Sequence, residues 1–122
     1  MRRVAITEQS HVIVSVGERK ELFCPTQKSN SPSWYRTANV DVKGCPNPFI
    51  LDTSTVFCDR LTINRKIQES FVHKFSPTPL GSENKNRLII RKVELSDAGT
   101  YACISDNSNK IFARINLTVE RG

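Results

Sequence analysis

The chain has 122 residues, 38% of them hydrophobic and 25% charged, with a formal net charge of +6 and four cysteines. That length suits one folded core, residues 1–122, and is too short for two, while the ordinary composition speaks against disorder and no apolar run approaches the roughly 20 residues of a membrane helix. The opening MRRVAITEQSHVIV lacks the apolar centre and cleavage site of a secretory signal, so the expectation is a segment of a larger ectodomain whose signal, other domains and any membrane anchor lie outside it.

In chain order, Val4 to Val16 predicts an edge strand or a pair of strands, with Val12, Val14 and Val16 on one face and Ile13 and Ser15 on the other. Gly17-Glu18 turns the chain, and Lys20 to Cys24 predicts a strand with Leu22 and Cys24 inward. The polar, proline-bearing PTQKSNSPS is a loop leading to Ser33-Trp34-Tyr35-Arg36. Later, Leu88, Ile90 and Val93 have the spacing of a strand that puts alternate side chains inward and then turns a corner, leaving Arg87, Ile89 and Arg91 outward. Ser96-Asp97-Ala98-Gly99 supplies turn chemistry. Thr100 to Ile104 follows as a strand in which Tyr101 and Cys103 share a face, so a buried phenol can bond the corner backbone. Asp106-Asn107-Ser108-Asn109 forms a hairpin tip, and Ile111 to Val119 returns with Ile115, Leu117 and Val119 inward and Arg114, Asn116 and Thr118 outward. Asn116-Leu117-Thr118 is then a glycosylation sequon at an outward position.

Four cysteines in so small a chain read as two disulfides of an oxidising compartment. Zinc is the competing reading, but Cys24, Cys45, Cys58 and Cys103 contain no C-x-x-C pair and neither His11 nor His73 stands at ligand spacing from them. No metal or cofactor is expected. The surplus positive charge permits an acidic partner such as a sulfated glycan, although a solvated basic surface is the commoner reason for it. Nucleic acid is not expected, because no aromatic platform or nucleic-acid motif accompanies the charge. Without a Gly-rich phosphate loop, G-x-S-x-G or an acid pair with a histidine, no enzyme is expected either.

The pattern L-x-I-x-x-V-x-x-x-D-x-G-x-Y-x-C, from Leu88 to Cys103, resembles strands E and F of the immunoglobulin superfamily, variable or intermediate type. The resemblance runs from about Val12 to Val119 and implies an all-β fold, a two-sheet antiparallel Greek-key sandwich with an extra C′/C″ region. It implies a core bridge from Cys24 on strand B to Cys103 on strand F, with Trp34 of strand C packed against it. It also implies a structural basic partner for Asp97. Lys74 holds that place in Lys74-Phe75-Ser76, and Arg65 is the other candidate, since Pro77 and Pro79 would interrupt strand D. More narrowly, Leu22-Phe23-Cys24-Pro25, Trp34-Tyr35-Arg36 and Val93 to Gly99 resemble ectodomains of the interleukin-1 receptor family.

If Cys24 and Cys103 form that bridge, Cys45 and Cys58 remain to pair with each other, tying down VKGCPNPFILDTSTVFCDRL in the C′ to C″ region. Closing such a loop contributes about 3 kcal/mol by chain entropy. Phe49, Ile50, Leu51, Val56 and Phe57 make the insertion more apolar than a solvated connection needs. Either alternate members, Phe49, Leu51 and Phe57, cover the domain's own core, or some stay exposed as a rigid patch for a protein ligand. On the second reading the ligand-binding residues are Phe49, Ile50 and Phe57, with Asp106, Asn107 and Lys110 of the F–G hairpin. Arg60, Arg65, Arg87 and Arg91 are the candidates for polyanion binding. Two functions follow: an extracellular receptor or secreted decoy that recognises a protein ligand or another cell-surface receptor, or an adhesion and assembly module that pairs with a like immunoglobulin domain, assisted by a heparan-sulfate-type polyanion.

Overall fold

The computed structural model describes residues 8–25, 32–37, 49–50, 56–63, 66–77, 87–105 and 110–121. Its strands are β1 (Glu8–Ser15), β2 (Lys20–Phe23), β3 (Pro32–Arg36), β4 (Phe49–Ile50), β5 (Val56–Phe57), β6 (Asp59–Arg60), β7 (Thr62–Ile63), β8 (Lys66–Ile67), β9 (Phe75–Pro77), β10 (Arg87–Ile90), β11 (Gly99–Ser105) and β12 (Ile111–Glu120). They form a five-stranded sheet ordered β1-β12-β11-β3-β6, a three-stranded sheet ordered β2-β10-β9, and two small hairpins, β4-β5 and β7-β8. This is the immunoglobulin β-sandwich expected from the sequence.

Alternation builds the core. Leu22 of β2, Leu88 and Ile90 of β10, and Trp34, Tyr101 and Cys103 of the larger sheet meet in one buried cluster. The Cys24–Cys103 bridge crosses it, with Cα atoms 6.1 Å apart. Trp34 belongs to the same cluster as both cysteines. Ile89 departs from expectation. It lies between Glu21 of β2 and Ser76 of β9 on the far side of the central strand, and it is buried there.

β1 pairs in parallel with β12, which places Val14 in the core and leaves Ile13 59% exposed. Val16 also ends up exposed, although its N–H still donates to the Glu120 carbonyl of β12 at 2.8 Å. Gly17, with φ at +93°, then carries the chain across to the other layer, where its N–H donates to the Val93 carbonyl at 2.8 Å. Gly99, φ +143°, is needed for a second reason: a Cβ there would lie 3.2 Å from Thr37 Oγ1.

The corner between β10 and β11 is held by Asp97. Lys74 Nζ donates to Asp97 Oδ2 at 2.8 Å and to Glu94 Oε2 at 2.6 Å, so Lys74 fills the role of basic partner. Arg65 lies outside the described residues. The Glu94 N–H donates to Asp97 Oδ2, and the Tyr101 hydroxyl donates to the Asp97 carbonyl at 2.7 Å. Pro77 does not prevent strand D: β9 ends there, after pairing Phe75 and Ser76 with β10.

One expectation is corrected. The insertion lies between strands C and C′, not between C′ and C″. The chain leaves β3 at Arg36 and returns at Cys58, whose N–H donates to the Arg36 carbonyl at 3.0 Å; β6 then pairs with β3 as C′. The β7-β8 hairpin occupies the C″ region. With only two residues, β6 is too short to carry a readable period.

Burial pushes the Tyr101 phenol up to about 12, from its ordinary value of 10.0. Burial opposes the charge on Lys74, but hydrogen bonds to Asp97 and Glu94 outweigh it and raise the ammonium above its ordinary value. Both groups therefore support the fold fully below about pH 10 and lose that contribution as pH rises through the folded values. Urea unfolding followed from neutrality to about pH 12 should show stability holding to about pH 10. It should then fall by on the order of 2–3 kcal/mol for Tyr101 alone. Tyr101→Phe should flatten the fall, and stability rising above pH 10 would contradict the assignment.

Candidate functional site

In a two-layer sandwich, the side of a strand opposite the core is expected to be polar. The five-stranded sheet departs from this at one end. On β11, Tyr101 and Cys103 point into the core while Ala102 and Ile104 point away from it, yet Ile104 is only 1% exposed and Ala102 is buried. Tyr35 of β3, directly opposite Ala102, is 5% exposed. A register shift between Cys103 and Ile104 brings Ile111 opposite Ile104. Ile111 thereby joins this outer face, while Phe112 and Ala113 both pack on the main core.

Phe57 completes the cluster. It comes from β5, the last strand of the insertion, and is 0% exposed, its ring 6.1 Å from that of Tyr35 at an interplanar angle of 58°. Tyr35, Phe57, Ala102, Ile104 and Ile111 form a second hydrophobic cluster, separate from the one between the sheets.

The edge of the face is tied by polar contacts. Arg36 Nε donates to Asp59 Oδ2 at 2.7 Å. The same guanidinium lies 3.7 Å from Asp97 Oδ1 and stacks on the Phe71 and Phe75 rings. Arg60 donates to Ser33 Oγ and to the Thr62 carbonyl, each at 3.0 Å, and lies over the Tyr35 ring. Cys58, between β5 and β6, is half-buried and disulfide-bonded, and no described cysteine is free. Its expected partner, Cys45, lies outside the described residues.

Toward the other end the same face becomes polar. The Thr100 N–H donates to Thr37 Oγ1 at 3.0 Å, the Thr100 hydroxyl donates to Asn116 Oδ1 at 2.8 Å, and His11 Nε2 lies 2.7 Å from Thr118 Oγ1. One sheet surface is thus divided into an apolar half closed by Phe57 and a half carrying hydroxyl, amide and imidazole groups.

The bridge, the Asp97 corner and the strand order already specify the family, and residues 7–120 match the immunoglobulin V-set domain. This chain belongs to the immunoglobulin V-set family. Among solved structures, the V-set chain is similar to the ZIG-8–RIG-5 IG1–IG1 heterodimer, at 17% identity and a TM-score of 0.63, covering 99% of this chain and 90% of that one. It is similar to the ZIG-8 IG1 homodimer at 18% identity and a TM-score of 0.61, covering 99% and 87%. It is also similar to the extracellular fragment of novel immune-type receptor 11 from Ictalurus punctatus, at 23% identity and a TM-score of 0.61, covering 94% and 87%. No curated protein matches the sequence significantly.

The sequence-based candidates distribute unevenly over this V-set domain. Phe57 is buried against the domain itself, so its ring is not offered to a ligand. Phe49 and Ile50 form β4, paired with Phe57 and Val56. Lys110 is exposed where the F–G hairpin closes, its carbonyl accepting the Ser105 N–H at 2.8 Å. Asp106 and Asn107 lie outside the described residues. The described arginines of the candidate set do not form one stripe. Arg60 belongs to the edge of the five-stranded sheet, whereas Arg87, paired with Glu21 at 2.9 Å and lying over the Phe23 ring, belongs to the other sheet. Arg91 is exposed just beyond β10.

Sequence reasoning missed Tyr35, Ala102, Ile104 and Ile111 as a group. A signal was present: Tyr101 to Ile104 is apolar at both parities, the pattern of a strand covered on two sides. Phe57→Ala should therefore cost about 3–5 kcal/mol in urea unfolding, as in a core. Ile13→Ala, on an exposed strand position, should stay within about 0.5 kcal/mol. Equal, small losses would show that Phe57 is not seated on the sheet.

Proposed function

We propose that this V-set domain is an extracellular recognition module that binds a protein partner, itself an immunoglobulin-like domain on another molecule, through the disulfide-tied C–C′ insertion and the adjacent F–G hairpin. The observation that carries the reading is the second cluster: the insertion's Phe57 is packed into the outer face of the sheet, which anchors the C-terminal end of the insertion before any partner arrives. Ordering a loop in advance removes part of the entropy cost of binding. The fold likeness to IG1 domains crystallised as homodimers and heterodimers supports an immunoglobulin-like partner. The extracellular placement is supported by V-set membership and the disulfides.

Pairing of two bare sheet faces fits less well, since Tyr35, Ala102, Ile104 and Ile111, the apolar centre of this face, are already covered. Polyanion binding is not favoured either: Arg60 and Arg87 are engaged within the domain.

Light scattering over a concentration series should show a monomer. An array of cell-surface ectodomains should yield an immunoglobulin-like partner whose binding is weakened at least tenfold by Phe49→Asp or Lys110→Glu at unchanged melting temperature. Self-association, or a captured partner indifferent to both substitutions, would overturn the proposal.

A further inference from the structure

The polar half of the outer face contains Asn116-Leu117-Thr118, the single N-x-S/T sequence in the chain with a centre other than proline. The strand sorts its three residues sharply. Leu117 is buried in the core, while Asn116 and Thr118 are exposed on the outer face, opposite His11 and Ile13 of β1. Asn116 Oδ1 accepts the Thr100 hydroxyl from the neighbouring strand at 2.8 Å, which turns the amide nitrogen, Nδ2, to the remaining open side.

We propose that Asn116 carries an N-linked oligosaccharide, rooted on the sheet by Thr100. In the attachment step Nδ2 displaces a lipid diphosphate from the anomeric carbon of an oligosaccharide donor. One N–C bond forms, one C–O bond breaks, Nδ2 loses one proton, and the diphosphate leaves with the bonding pair. Oδ1 takes no part, so the hydrogen bond from Thr100 survives and restrains the first sugar. The consequence deepens the recognition reading and rests on its extracellular placement. A bulky, hydrated chain on β12 screens the half of the face built from His11, Thr100 and Thr118, and leaves the half bearing the insertion for protein contact.

The test supplies a heterologous signal sequence and expresses the chain through the secretory pathway of a eukaryotic cell. Its outcome then does not depend on where the natural protein resides, and a failure of the extracellular reading is seen separately, by locating the natural full-length protein in its own cells. Intact mass and peptide mapping before and after peptide N-glycosidase should show one glycan at Asn116, with the residue converted to Asp on release. T118S should keep the glycan; T118A and N116Q should both lose it. Should T118A be poorly secreted through loss of its contact with His11, N116Q supplies the same readout with Thr118 intact. Secreted wild-type protein with unmodified Asn116, or a glycan that persists in N116Q, would overturn the proposal.

Discussion

Covering Ala102 and Ile104 on the side of β11 opposite Tyr101 and Cys103 requires a third layer, and the remaining structure is arranged to supply it. The inner side is satisfied by the sandwich. The outer side, left to water, would expose a contiguous apolar patch on the sheet. Phe57 closes it, and it can do so because the chain re-enters the sheet immediately afterwards: Cys58 bonds Arg36, Asp59 and Arg60 pair with β3, and Leu61 bonds Trp34. The insertion is thus held at its root by a backbone ladder and by the disulfide of Cys58.

The Asp97 corner serves the same strand from its other end. A carboxylate that is 3% exposed is stable only when paired, and Lys74, Arg36 and the Glu94 N–H surround it. Arg36 links the two ends, touching Asp97 on one side and Asp59, at the root of the insertion, on the other. Loss of either acid would leave this guanidinium partly unpaired and disturb both the corner and the insertion.

The corner was legible in the sequence because its central bonds are local: the Asp97 carboxylate accepts from the Glu94 N–H and the Asp97 carbonyl from the Tyr101 hydroxyl, each a few residues away. The bridge and Trp34 followed from the family pattern. The placement of the insertion was not legible, since β6 contributes two residues whose identity as strand C′ depends on pairing with β3. Nor was the outer cluster. Ile111 shares sequence parity with Ile115 and Leu117, and only the bulge opposite Cys103 and Ile104 moves it to the other face. Phe57 is too apolar for a solvated loop, but periodicity cannot say whether it covers the domain or faces a ligand.

On the proposed reading, recognition separates rigidity from contact: the buried cluster supplies the first, and the insertion and F–G hairpin supply the second. The most direct measurement is nuclear Overhauser contact between the Phe57 and Tyr35 rings in solution, together with hydrogen exchange at the amide of Ile104. A seated insertion predicts clear ring-to-ring contacts and slow exchange at Ile104. Absence of those contacts, with Ile104 exchanging as fast as exposed strand positions, would show that the face stands open and contradict the proposed recognition surface.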